Sequence, residues 1–355
     1  MLTVLSSKQD LDTASPRLKE EHFSNMKTVS FASWLAVSTS VLRTANASLS
    51  FYAMGACRKR LVDLLCGVIP CCLPCCTCFQ RDSHIGDVPY NDAEADNLVD
   101  QIDGLSVGDA LFTVHLGDYN TPAKTGCSAS HFESIADILS QGPVTTFVLA
   151  GDNDYLDCPS PNAAWSHYKN TFVGFEDEWN SSIDVDRKSG GPSSRPGGSE
   201  LFAFYEEGVL FVSTVLMNGG GWSSRASASK SWIQEKLRDY KDENDFRGVI
   251  IFSHAEGSSN LEDFFDDIED IFGAEEVDVP VLYLCGDRHR YVRQKGYNGW
   301  DQLDYVSVDK GGCANPILVE VADDGDSFGS GGDVFGGGLY KINRRGGRYG
   351  SSRCR

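Results

Sequence analysis

Short runs of β-branched and aromatic residues recur along the chain and alternate with longer amphipathic stretches. The runs LFTVHL (111–116), TTFVLA (145–150), VIIFS (249–253) and VLYLC (281–285) read as strands, because such side chains pack well on a pleated surface. The longer stretches repeat apolar residues every three or four positions and read as helices. They cover 92–102, with Leu98, Val99 and Ile102 on one face, then 131–139, 163–172, 229–240 and 261–272. Two runs at 201–205 and 209–215, joined by Glu206-Glu207-Gly208, predict a hairpin, and 305–308 and 316–321 predict the last strands. Residues 187–199 have loop composition. From Ala322 the chain turns rich in Gly, Ser and Asp and then in Arg, which predicts a mobile tail over 326–355. Alternating strands and helices favour an α/β fold, and 355 residues suffice for one large domain.

Charge narrows the partners. The formal net charge is −20 and the pI is near 4.7. A nucleic acid or anionic membrane partner needs a basic stripe, so both are disfavoured. No stretch is long and apolar enough for an integral membrane span. From Met26 the chain reads MKTVSFASWLAVSTSVLRTANAS: one lysine, an apolar stretch from Phe31 to Leu42, and a small-x-small signal at Ala45-Asn46-Ala47. The expectation is a signal peptide starting at Met26 and cleaved after Ala47. Residues 1–47 then form a removed extension, and the protein is secreted or enters an endomembrane lumen. The competing reading is an amphipathic N-terminal helix.

Seven of the twelve cysteines lie between Cys57 and Cys78. They sit in a segment, 56–86, unlike its surroundings. Its removal joins Gly55 to Asp87 and gives SLSFYAMGDVPYND, a strand followed by a glycine turn and an aspartate. The 31 residues match a retained intron of 93 nucleotides whose boundaries regenerate a glycine codon. A zinc loop and a palmitoylated hairpin are the alternatives. Adjacent cysteines such as Cys71-Cys72 and Cys75-Cys76 suit one tetrahedral site poorly. Cys127 and Cys158 follow two neighbouring strands, so a disulfide between them is reasonable in a secreted protein; two buried thiols are equally ordinary.

The candidate chemistry sits where strands end. Gly86-Asp87, Gly117-Asp118, Gly151-Asp152-Asn153-Asp154, Ser253-His254 and Gly286-Asp287-Arg288-His289 appear in that order, four of them directly behind the strongest strands. In open α/β sheets, strand carboxyl ends converge on one crevice. A lone Asp there is usually a turn residue. The joint order and spacing are what point to a metal site. His115, His131 and His167 lack such company and are expected to be ordinary satisfied polar groups.

These motifs resemble those of the calcineurin-like metallophosphoesterases, in a divergent branch similar to the purple acid phosphatases, over about residues 49–322. The resemblance implies a four-layer α/β/β/α sandwich of two mixed β-sheets spanning 48–325, interrupted by 56–86. It implies two divalent ions (Mn, Fe, Zn or Mg). Asp118 would bridge them, Asp87 and His289 would hold one, and Asp152, His254 and Asp287 the other. The chain departs from the family at Pro89, where a ligand His is usual, at Asp152 for an Asn, at Asn153 for a His, and at Asp287 for a His. Tyr90 is a possible substitute ligand beside Pro89. Asn153 would stabilise charge on a phosphoryl oxygen without donating a proton, and Arg288 would clamp phosphate. The implied function is a secreted phosphoesterase that hydrolyses small phosphate esters with a hydroxide activated by two metal ions. The alternative is a catalytically impaired relative serving as an extracellular or cell-surface binding protein.

Overall fold

The computed structural model describes residues 50–52, 82–105, 110–121, 127–323, 326–331 and 333–345, all within one compact unit, Asn46–Arg355. The expected signal peptide at 1–47, the cysteine-rich stretch as far as residue 81, and residues 346–355 lie outside that set.

The first sheet begins with β1 (Ser50–Tyr52) and β2 (Asp82–Ile85), followed by helix α1 (Asp92–Asp103), β3 (Phe112–His115), helix α2 (Ala129–Leu139) and β4 (Thr145–Val148). Strands β2, β3 and β4 run parallel, with Ile85 beside His115 and His115 beside Val148. Helix α3 (Pro161–Phe172) leads to the second sheet, which comprises β5 (Asp186–Arg187), β6 (Phe202–Glu206), β7 (Val209–Ser213), β8 (Gly248–Ser253), β9 (Val281–Cys285), β10 (Val292–Gln294) and β11 (Leu303–Ser307). Here β7, β8, β9 and β11 are parallel, with helices α4 (Trp222–Tyr240) and α5 (Ser259–Ala274) in the crossovers. The chain then returns to the first sheet through β12 (Ile317–Val321), β13 (Val334–Phe335) and β14 (Tyr340–Asn343).

Among the described residues each sheet has seven strands of mixed direction. One core cluster lies between them: Phe112, Val114 and Phe147 from the first sheet pack with Phe204, Phe211, Phe252 and Leu284 from the second. The outer faces are covered separately. Leu98, Phe132, Trp165 and Phe172 from α1, α2 and α3 cover the first sheet. Trp232, Leu237, Phe264 and Phe265 from α4 and α5 cover the second. The result is an α/β/β/α sandwich. It explains why β8 and β9 are buried along their whole length: Ile250 and Phe252 face the inter-sheet core, while Val249 and Ile251 face the helices.

One expectation from the sequence needs correction. The glycine-rich segment after residue 325 is not a tail throughout. β14 pairs with β12 from Leu318–Asn343 to Val321–Tyr340, and Phe335, Tyr340 and Ile342 are buried in the inter-sheet core. Few apolar residues stand among the glycines there, so composition hid them; the neighbouring β12 supplies the ladder partner they lack alone. Within the segment 56–86, Asp82–Ile85 form β2, which leads into Asp87.

Candidate metal centre

The parallel strands of both sheets deliver their carboxyl ends to one place. β2 is followed by Gly86-Asp87, β3 by Leu116-Gly117-Asp118 and β4 by Leu149–Asp152. β8 ends directly in His254, and β9 in Gly286-Asp287. Asp87 donates its backbone N–H to the Gly117 carbonyl at 2.9 Å, which ties the first two turns together. The turns require unusual backbone. Gly117 has φ +96°, and a Cβ there would lie 2.6 Å from the Gly151 nitrogen and 2.9 Å from His254 Nδ1. Asp87, Asp118, Asp287 and His289 all adopt left-handed φ values between 57° and 60°. Such conformations cost roughly 1–3 kcal/mol each in a residue with a Cβ, and they concentrate at functional sites.

Ligand-type atoms of Asp118, Asp152, His254 and Asp287 lie within 4.8 Å of one another. His254 Nε2 is 3.0 Å from Asp152 Oδ1, 3.4 Å from Asp118 Oδ1 and 3.9 Å from Asp287 Oδ1. Its other nitrogen, Nδ1, is 2.8 Å from the Leu116 carbonyl oxygen and must donate to it. When the ring is neutral, the lone pair on Nε2 faces three carboxylates, the orientation a metal-binding imidazole takes; when the ring is protonated, the same Nε2 donates to Asp152. A second group adjoins the first through Asp118. Tyr90 Oη is 3.1 Å from Asp118 Oδ2, 3.4 Å from Asp87 Oδ1 and 3.5 Å from His289 Nε2, and His289 Nε2 is 3.3 Å from Asp87 Oδ1. Asp118 thus turns one oxygen to each group.

The electrostatics show a shortage of positive charge. Burial pushes the Asp118 and Asp287 carboxyls above the usual range. Burial alone would lower His254, but Asp118, Asp152, Asp287 and Asp87 around it hold it well above its ordinary value. Burial also opposes charge on Asp152, yet the His254 hydrogen bond prevails and draws it down. Burial and the carboxylates of Asp87 and Asp118 keep the Tyr90 phenol protonated. Asp87 Oδ2 is buried and has no hydrogen-bond partner. A buried acidic cluster with an orphaned oxygen and an inward-facing imidazole acceptor fits a metal cation, and the oxygen and nitrogen donors suit a divalent one.

The remaining predicted residues are placed as follows. Asn153 donates from its backbone N–H to Asp118 Oδ1 at 3.0 Å, and from Nδ2 to Asp118 Oδ2 at 2.6 Å and to Tyr90 Oη at 3.2 Å. Arg288 is half-buried and pairs with Glu256, Nε to Oε2, at 3.2 Å. Cys127 and Cys158 form a disulfide beside the Asn153 carbonyl. His115 is buried and satisfied: Nε2–H donates to the Val88 carbonyl at 2.9 Å, and Nδ1 accepts from Gly117 N–H at 3.2 Å.

Three residues that shape the site carried no clear signal in the sequence. Asp154, fully buried, accepts four hydrogen bonds: from the backbone of Asp118, Asn120 and Gly151 and from the Asn120 side chain, at 2.7 to 2.9 Å. It was visible only as the last letter of Gly151-Asp152-Asn153-Asp154. Asn218 donates to Asp287 Oδ2 at 2.5 Å. Arg225 grips the turn that carries Asn218 through the carbonyls of Met217 and Gly220, at 2.6 Å each. Neither lies in a recognisable motif.

No protein-family model and no curated protein sequence matches the chain. Among solved structures it is similar to a 5'-nucleotidase from Candida albicans, with 13% identity and a TM-score of 0.40. The match covers 60% of this chain and 39% of that one, so this chain spans well under half of its neighbour.

Proposed function

We propose that the protein is a metal-dependent phosphoesterase acting on small phosphate esters through two divalent ions. The observation that carries this is the position of Asp118. Its Oδ1 faces His254 and, with it, Asp152 and Asp287, while its Oδ2 faces Tyr90, beside Asp87 and His289. A carboxylate with one oxygen in each of two donor groups is arranged to bridge. Asp87 and His289 would hold one ion, and Asp152, His254 and Asp287 the other. Two such ions supply Lewis acidity that lowers the pKa of water and neutralises charge on phosphoryl oxygens.

The chain's own residues do the rest. His254 is oriented by the Leu116 carbonyl. Asn153 donates to both oxygens of Asp118, and its amide would stabilise charge on a phosphoryl oxygen. Two points favour a second reading, a metal-bound relative with weak or no turnover: Asn153 cannot donate a proton as an imidazolium would, and Arg288 is paired with Glu256. The Cys127–Cys158 disulfide supports an oxidising compartment, in keeping with secretion. Among the described residues no helix is long and apolar enough to cross a membrane.

Metal analysis and a phosphomonoester assay on the purified protein test the proposal. About two ions per chain are expected, together with hydrolysis that Asp118→Ala abolishes. Two bound ions without hydrolysis would favour the second reading. Full hydrolysis by Asp118→Ala would place the site elsewhere.

A further inference from the structure

The first sheet holds one slot for the strand that leads into Asp87, and two segments of the chain are registered on it. A strand has two edges. One edge of β3 is filled by β4, with Thr113 opposite Thr146. The other is claimed twice: Ser83 of β2 and Tyr52 of β1 both pair with Thr113, both in parallel. The same overlap occurs on β12. His84 pairs with Ile317, which sets position 83 opposite Leu318; Tyr52 pairs with Leu318 and Phe51 with Val319. Two backbones cannot fill one register, so the segments are alternatives for a single place.

The register contains a further coincidence. Ser83 stands four residues before Asp87. If residues 56–86 are absent, Gly55 precedes Asp87 and Tyr52 also stands four residues before it. The pairing of Tyr52 with Thr113 and Leu318 is therefore the pairing it would need in the shorter chain. Nothing in the sequence alone requires this agreement, because a slip by one residue would reverse every face.

The two occupants differ in what they bring to the sheet. Val114, Ile317 and Val319 belong to the core between the sheets. His84 of one segment stands beside Val114 and Ile317. The position opposite Val319 is Asp82 in one and Phe51 in the other. Asp is disfavoured at a strand position and Phe is favoured there.

We infer that residues 51–55 are the fitted positioning strand for Asp87, and that a chain lacking 56–86 is the form in which the metal centre is best held. In that form FYAMG replaces DSHIG without moving Asp87, and Gly55 takes the place of Gly86. The inference rests on Asp87 lying in the proposed centre but not on the reaction, so it can fail or stand whatever the protein hydrolyses.

Three proteins test it: the full chain, a chain lacking 56–86, and a chain lacking 50–81, which keeps only DSHIG. The chain lacking 56–86 is expected to unfold cooperatively and to melt at least ~5 °C above each of the others, the shift that a few buried apolar contacts give in a domain of this size. It is also expected to bind Mn²⁺ in equilibrium dialysis at least as tightly as the full chain. Phe51→Asp in the shorter chain should abolish the gain in melting temperature. If the chain lacking 56–86 fails to fold, melts no higher than the chain lacking 50–81, binds Mn²⁺ more weakly than the full chain, or is indifferent to Phe51→Asp, then DSHIG is the fitted strand and the inference is wrong.

Discussion

Replacing Asp154 should damage both the stability of this protein and its candidate metal centre. The side chain is 0% exposed and accepts from Asp118 N–H at 2.7 Å, Gly151 N–H at 2.8 Å, and Asn120 N–H and Nδ2 at 2.9 Å each. Burial pushes its pKa up, while the donors from Gly151, Asn120 and Asp118 pull against that. All four partners are donors, so the ionised carboxylate alone accepts from every one. Asp154→Ala strands three backbone N–H groups and one amide. Each buried unsatisfied group costs about 1–3 kcal/mol, and partial relaxation and entering water reduce the sum, so a total near 3–5 kcal/mol is expected. Asp154→Asn keeps the shape but turns an amide NH2 toward donors, so about half that loss is expected. Because Asp118 holds its left-handed φ of 60° partly through the bond from its own N–H, the bridging carboxylate should also shift. Urea unfolding at pH 7 measures the first effect, and metal content after dialysis measures the second. A loss below ~1 kcal/mol for Asp154→Ala, with metal content unchanged, would refute the reasoning.

Other expectations follow from the same contacts. His115 is buried and held neutral, with its pKa lowered to about 4 from 6.5. Its contribution is therefore intact above pH 6.5 and lost as pH falls toward 4, a total of about 3 kcal/mol. Urea midpoints between pH 7 and 4.5 should fall less steeply for His115→Gln than for the parent, and parallel curves would count against this assignment. Asn153→Ala should lower kcat on a phosphate monoester about 10²-fold or less, the scale for losing one charge-stabilising donor; an unchanged kcat would exclude it from the reaction. Gly117→Ala forces a Cβ to within 2.9 Å of His254 Nδ1, so its metal content should drop while the fold, followed by circular dichroism, persists.

The α/β class, the five main helices and the strands that end in Asp118, Asp152, His254 and Asp287 were legible in the sequence. Burial on both faces makes such strands uniformly apolar, and a glycine followed by an acid breaks that pattern visibly. Short strands were not legible. β13 and β14 hold few apolar residues among glycines, and only the pairing of β14 with β12, and of β13 with β14, gives them a reason to be extended. Local pattern could order the ligands along the chain but could not assemble them. Which oxygen of Asp118 faces His254 and which faces Tyr90 depends on two sheets meeting at their carboxyl ends, a contact between residues far apart in the chain. The same holds for Asp154, Asn218 and Arg225, whose partners lie on other turns. The left-handed backbone at Asp87, Asp118, Asp287 and His289 is also placed by the tertiary structure, because Asp and His tolerate that conformation better than most residues but do not impose it. The sequence alone set the order of the candidate residues along the chain; the packing of the two sheets decided how they face one another.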